Sequence, residues 1–165
     1  MVILRRNLGW IDQEQIAKEM GAAIWKDAII SFNEKLKIAK TAKDAGVSLK
    51  GFKEAKIKKF FIKHKLPLKA EVFYVSGIKD VKKFIADNLK KGNDVMLNIH
   101  MKHFDKKKKY GHFTLVSELN GDKVTMCDPT RTHKSFWKAD VNEVVKSMGK
   151  QFDKKERGFV IFTRT

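Results

Sequence analysis

From Leu68 onward the apolar positions change period repeatedly, and each change predicts an element. Ala70, Val72 and Tyr74 alternate with Glu71, Phe73 and Val75 in the two-residue period of a strand. Ile78 to Leu89 returns to helical spacing and is closed by Gly92, after which Asp94 to His100 reads as a second strand. His112 to Glu118 and Lys123 to Cys127 are β-rich runs joined by Leu119-Asn120-Gly121-Asp122, where Asn-Gly is a strong hairpin signal. Phe136-Trp137 and Gly158 to Thr163 add two strands, separated by a helix from Val141 to Met148.

The N-terminal third is helical by the same reasoning. Val2, Ile3, Leu4 and Leu8 form the last turns of an apolar helix that Gly9 ends, and Asp12 caps a short helix carrying Ile16 and Met20, with Gln15 completing a capping box and Gly21 as the stop. Ile24, Ala28, Ile29, Phe32 and Leu36 lie on one helical face between Ala23 and Ala45. Ser48 opens another helix, with Phe52, Ile57, Phe60 and Phe61 apolar and Pro67 forbidding its continuation. Helices first and a mostly antiparallel sheet afterwards predict the α+β class.

A chain of 165 residues, 42% hydrophobic, with no Pro/Gly/Ser-rich linker, predicts one domain over residues 1–165. The lone Cys127 excludes an internal disulfide framework and points to a reducing compartment such as the cytoplasm. No apolar run approaches the roughly 18 residues of a membrane span, and Met1 to Leu8 is too short and too basic for a signal peptide.

The formal charge of +17 attracts anionic partners, but only five of the 36 basic residues are arginine, the better group for phosphate and base contacts. Lys53, Lys56, Lys58, Lys59 and Lys63 fall on polar helical positions, so a solvated surface outweighs a nucleic-acid or other anionic-polymer binder. His100, His103, His112, His133, Cys127 and Asp128 could suggest zinc, but the spacing is poor and no metal or cofactor is expected. An oligomeric state is not readable from these features.

The hairpin carries the candidate chemistry. His112 opens one strand and Asp128 closes the next, so a tight turn folds the two ends back beside each other. In a cysteine peptidase the histidine takes the thiol proton and later protonates the leaving amine, while a carboxylate orients the ring. Cys127, adjacent to Asp128 on an alternating strand, should point to the opposite face as a small buried hydrophobe.

Gly111-His112-Phe113-Thr114-Leu115-Val116, then Gly121-Asp122-Lys123-Val124-Thr125-Met126-Cys127-Asp128-Pro129, resembles the papain-like cysteine peptidases that cleave double-glycine leaders in bacteriocin exporters, and their stand-alone relatives. Ile11 to Gly21, Gly92 to Ile99, Trp137, the helix at Val141 and Gly158 to Phe162 also match, and Ile24 to His64 matches least. The resemblance implies a papain-like fold, a peptide or protein substrate, His112 as general base and Asp128 as its orienting carboxylate. The family's glutamine and Cys-Gly nucleophile, placed at the start of its first long helix, have no counterpart here.

Two readings follow. Either residues preceding Met1 supply the nucleophile, or the chain keeps the fold as an inactive module that binds an extended peptide. If Met1 to Leu8 is the remainder of the active-site helix, it should form the wall of an open trough with an accessible His112 at its floor.

Overall fold

The computed structural model describes Arg6, Leu8, Gly9, Ile11, residues 13–20, Ala22, Leu49, residues 54–128 and residues 135–165. The helix expected over Ala23 to Ala45, the start of the next at Ser48, the cap at Asp12, and Val2 to Leu4 lie outside the described residues, as do Pro129 and His133.

Helix α1 spans Gln13–Met20 and turns Ile16 and Met20 toward the core. Helix α2, Glu54–Lys63, buries Ile57, Phe60 and Phe61 while Lys56, Lys58, Lys59 and Lys63 stay exposed. Each of those three apolar side chains contributes about 1.5–3 kcal/mol of burial free energy, and Phe61→Ala would also leave a void beside Phe162.

The residue that ends α2 is Lys65 rather than Pro67. At φ 50° Lys65 takes the left-handed conformation, while Leu66 N–H donates to Phe61 O at 2.8 Å and Lys65 N–H to Ile62 O at 3.1 Å. That is the Schellman pattern of a helix C-terminus, stabilised by the shared burial of Leu66 and Phe61.

Strand β1 (Leu68–Tyr74) leads through a short 3-10 turn, Val75–Gly77, into helix α3, Val81–Lys90. Asp80 caps α3 by accepting from Lys83 N–H at 2.8 Å, so the helix starts later than the apolar spacing from Ile78 predicts. Strand β2 is Asp94–His100, β3 Gly111–Asn120, β4 Lys123–Cys127 and β5 Phe136–Asp140, followed by helix α4 (Val141–Ser147) and strand β6 (Gly158–Arg164). The strands form one six-stranded sheet in the order β1-β6-β2-β3-β4-β5, with every neighbouring pair antiparallel. The fold is α+β.

Alternation in the strands gives the sheet two buried faces. Val95, Leu97, Ile99, Val116, Val124, Met126, Phe159 and Ile161 pack under α3 and α4 through Val81, Ile85, Val141 and Val144. Leu68, Ala70, Val160 and Phe162 pack under α2, joined by Leu8, Ile11, Ile16 and Met20. Arg6 reaches across to the edge of this second layer, donating to the buried Asp94 carboxylate and to Gly92 O. Among the described residues no helix is long and apolar enough to cross a membrane.

Candidate active site

The β3–β4 hairpin turns on Gly121-Asp122, with Asn120 and Lys123 as the last paired residues. Gly121 has φ 58° and Asp122 does not share the positive sign, so the glycine occupies the first central position and Asn120 belongs to the strand. A bulge follows, in which the register shifts between Val116 and Glu118 and leaves Ser117 extra. It allows Val116 and Leu119, three residues apart, to reach the same core, which uninterrupted alternation forbids.

Beyond the bulge the pairing runs Val116 with Met126 and Leu115 with Cys127, which sets Asp128 diagonally across from His112 on one face of the sheet. His112 Nε2 lies 2.8 Å from Asp128 Oδ2. The Asp128 side chain is fully buried, and Asp128 N–H donates to Ser135 O at 2.9 Å, tying the end of β4 to the approach of β5. Thr114, between the two in register, donates its hydroxyl to Cys127 O at 2.9 Å and so fixes the backbone one residue before the carboxylate. Tyr110 meets the His112 ring edge-on at 6.5 Å between centroids. Its phenol pKa is raised first by burial and then by the negative charges of Asp128 and Asp105.

With Nε2 engaged by the carboxylate, proton exchange with a nucleophile falls to Nδ1, and a neutral ring in that tautomer presents Nδ1 as an acceptor. The sequence thus brings the two residues together by one turn and one bulge.

Three expectations are corrected. His112 is only 8% exposed, because Tyr110 covers one side of its ring and the carboxylate another. Cys127 is half-buried rather than buried, pairing with Leu115 on one side and with the largely exposed Phe136 on the other. Arg6 and Leu8 pack on the α2 face, whereas register places His112 with Ile99 on the α3/α4 face, so these two residues do not form a wall beside the imidazole.

The other histidines have separate engagements. His100 accepts from Lys102 N–H at 3.2 Å and stacks on Phe152 at 4.8 Å, while His103 Nε2 lies 2.7 Å from Glu143 Oε2. Among the described residues no three His, Cys, Asp or Glu side chains converge as a metal site.

Sequence reasoning missed the loop between α4 and β6. Arg157 is 2% exposed and holds Asp153 in a two-pronged pair, at 2.8 Å and 2.5 Å. Burial alone would raise the Asp153 pKa, but the Arg157 hydrogen bonds and Lys155 N–H outweigh it and hold the carboxyl below its ordinary range. The available signal was the four-residue spacing of Asp153 and Arg157, opposite charges close enough along the chain to pair. The chain matches no protein-family model and no curated protein.

Proposed function

We propose that the chain carries the base-bearing half of a papain-like cysteine peptidase site, acting on amide bonds of a peptide or protein. The observation that carries this reading is the buried 2.8 Å contact between His112 Nε2 and Asp128 Oδ2 at the open end of a hairpin. In the reaction, Nδ1 of His112 takes the proton of a thiol, and the thiolate attacks the carbonyl carbon. The imidazolium then protonates the departing amine as the C–N bond breaks, and water hydrolyses the thioester with His112 again as base. Asp128 holds the ring orientation and stabilises the imidazolium.

Cys127 is the chain's only cysteine, and strand alternation turns it away from the face that carries His112. The attacking thiol must therefore come from outside these 165 residues. The limited exposure of His112 favours a second reading, in which the site binds an extended peptide without cleaving it.

The deciding experiment extends the chain with the residues encoded directly before Met1 and assays hydrolysis of short peptides. A Cys-Gly in that extension, with activity abolished by His112→Ala and strongly reduced by Asp128→Asn, supports the peptidase. An extension without cysteine, or activity that survives His112→Ala, removes it.

A further inference from the structure

Beside the His112 end of the sheet, the close of β2, the start of β3 and the loop before β6 enclose a cavity of about 240 Å³. Gly111, the neighbour of His112, and Tyr110, whose ring touches the imidazole, both line it. Lys102, Lys109 and Lys155 also line it, and none of the three has a carboxylate partner among the described residues. The single acidic lining residue, Asp153, is committed to the buried Arg157 guanidinium by two hydrogen bonds. Those two charges cancel locally, and the lysines are left as an excess of positive charge around a half-open space.

The environment of His100, another lining residue, reports the same field. Its pKa is lowered first by burial and then by the positive charges of Arg157, Lys102 and Lys155, against the opposing charge of Asp153. The rings of His100 and Phe152 stack at 4.8 Å and give the lining a flat face. Beneath Gly111, the Arg157 guanidinium stands 3.4 Å from where a Cβ would project, so a side chain at that position would narrow the cavity floor.

We propose that this cavity is an anion subsite that takes a carboxylate of the bound peptide, either an Asp or Glu side chain or the free C-terminus. The identification of the ligand as a peptide rests on the peptidase-like reading above. The presence of an anion site does not, because the lysines that have no carboxylate partner among the described residues and the half-open cavity stand without it. A chain engaged at His112 has its flanking residues within one or two positions of Gly111, at roughly 3.3 Å per extended residue. A carboxylate there would meet lysine ammonium groups that can rotate to donate, and a half-enclosed site strengthens each such contact relative to open solvent.

The test uses three pentapeptides of Gly and Ala with the intact chain: blocked at both ends and uncharged, blocked with a central Glu, and uncharged in its side chains with a free C-terminus. Dissociation constants are read from the amide signal of Gly111 and the ring signals of His100, and inorganic phosphate is titrated in parallel. One or both carboxylate peptides should bind at least about tenfold tighter than the uncharged one, and which of them does so identifies the source. Lys102→Gln with Lys155→Gln should weaken that binding about three- to tenfold, as loss of two partly exposed charge contacts implies. Lys106→Gln with Lys107→Gln, which removes the same net charge outside the cavity, should change it less than twofold.

Equal binding of all three peptides, equal effects of the two double variants, or phosphate binding tighter than either carboxylate peptide would overturn the proposal. Because no turnover is read, carboxylate binding by a chain that proves inactive keeps the subsite and removes the peptidase. Hydrolysis with no carboxylate preference does the reverse.

Discussion

Gly158→Ala isolates how closely β6 and β1 are packed next to the loop that carries Arg157. A Cβ on Gly158 would stand 2.9 Å from Tyr74 Cα, 2.9 Å from Val75 N and closer still to the Phe73 carbonyl oxygen, all of them backbone atoms. Carbon–carbon contacts settle near 3.5–4.0 Å, so β1 must recede by at least about 0.6 Å at Tyr74 and by more at Phe73. That movement strains the last pairs of the ladder, Phe73 with Phe159 and Tyr74 with Gly158, and the hydrogen bond from Val75 N–H to Arg157 O at 3.0 Å. Two weakened hydrogen bonds at about 1 kcal/mol each, plus overpacking of about 1–3 kcal/mol, give an expected loss of about 3–5 kcal/mol. Gly149→Ala is the control, since its Cβ would meet only the end of the exposed Gln151 side chain, with Cδ and Nε2 at 2.5 Å, and that end can swing into solvent. Urea unfolding followed by circular dichroism measures both variants. A Gly158→Ala chain within about 0.5 kcal/mol of the parent, or one no worse than Gly149→Ala, would refute the packing argument.

Asp128→Ala should cost about 3 kcal/mol in the same assay, because it leaves a buried imidazole without its carboxylate, while Asp128→Asn should cost less and shift the His112 tautomer seen by 15N NMR. Iodoacetamide should label Cys127 at the same rate before and after His112→Ala, since the thiol lies on the other sheet face; a rate that falls on His112→Ala would place thiol and imidazole in one site. The Glu19 carboxyl is held at about 2, below its usual 4.5, first by the hydrogen bond from Lys63 and then by those from His64 and Gln15, with burial opposing. A depressed folded pKa means that this stabilisation is complete above the unfolded value and is lost as pH falls from about 4.5 toward 2. Lys63 is largely exposed, so solvent screening limits the effect to about 1 kcal/mol; Glu19→Gln should flatten that part of the stability–pH curve, and an unchanged acid limb would count against the pair.

What was legible in the sequence is what neighbouring residues decide. The alternation in Asp94 to His100 placed β2 to the residue, and Gly121 placed the hairpin that joins His112 to Asp128. Local competition blurred the rest: Asp80 displaced the start of α3 from Ile78, and Lys65 ended α2 by adopting a conformation that non-glycine residues seldom take. The Ser117 bulge was recoverable only from the three-residue spacing of Val116 and Leu119, which makes sense once both are known to face one core. The cavity was not readable at all. Its walls come from the end of β2 and the start of β3 and, some forty residues further along the chain, from the loop before β6, and the pairing of Arg157 with Asp153 is a tertiary fact.

If the peptidase proposal holds, the arrangement of the sheet bounds where a nucleophile could come from. Arg6 is tied to Asp94 at the beginning of β2, whereas His112 pairs with Ile99 at the end of that strand. The five residue steps from Asp94 to Ile99 span roughly 17 Å at about 3.4 Å per residue, and the imidazole lies on the face away from Leu8. On the peptidase proposal, a thiol would have to cover that distance from Arg6 and reach the opposite face of the sheet to meet His112. It would then have to approach past the rim formed by His100 and Gly111, which pair at that end of the sheet. His100 and Gly111 also line the lysine-bearing cavity, so on the two proposals above a bound peptide would lie between the imidazole and that cavity.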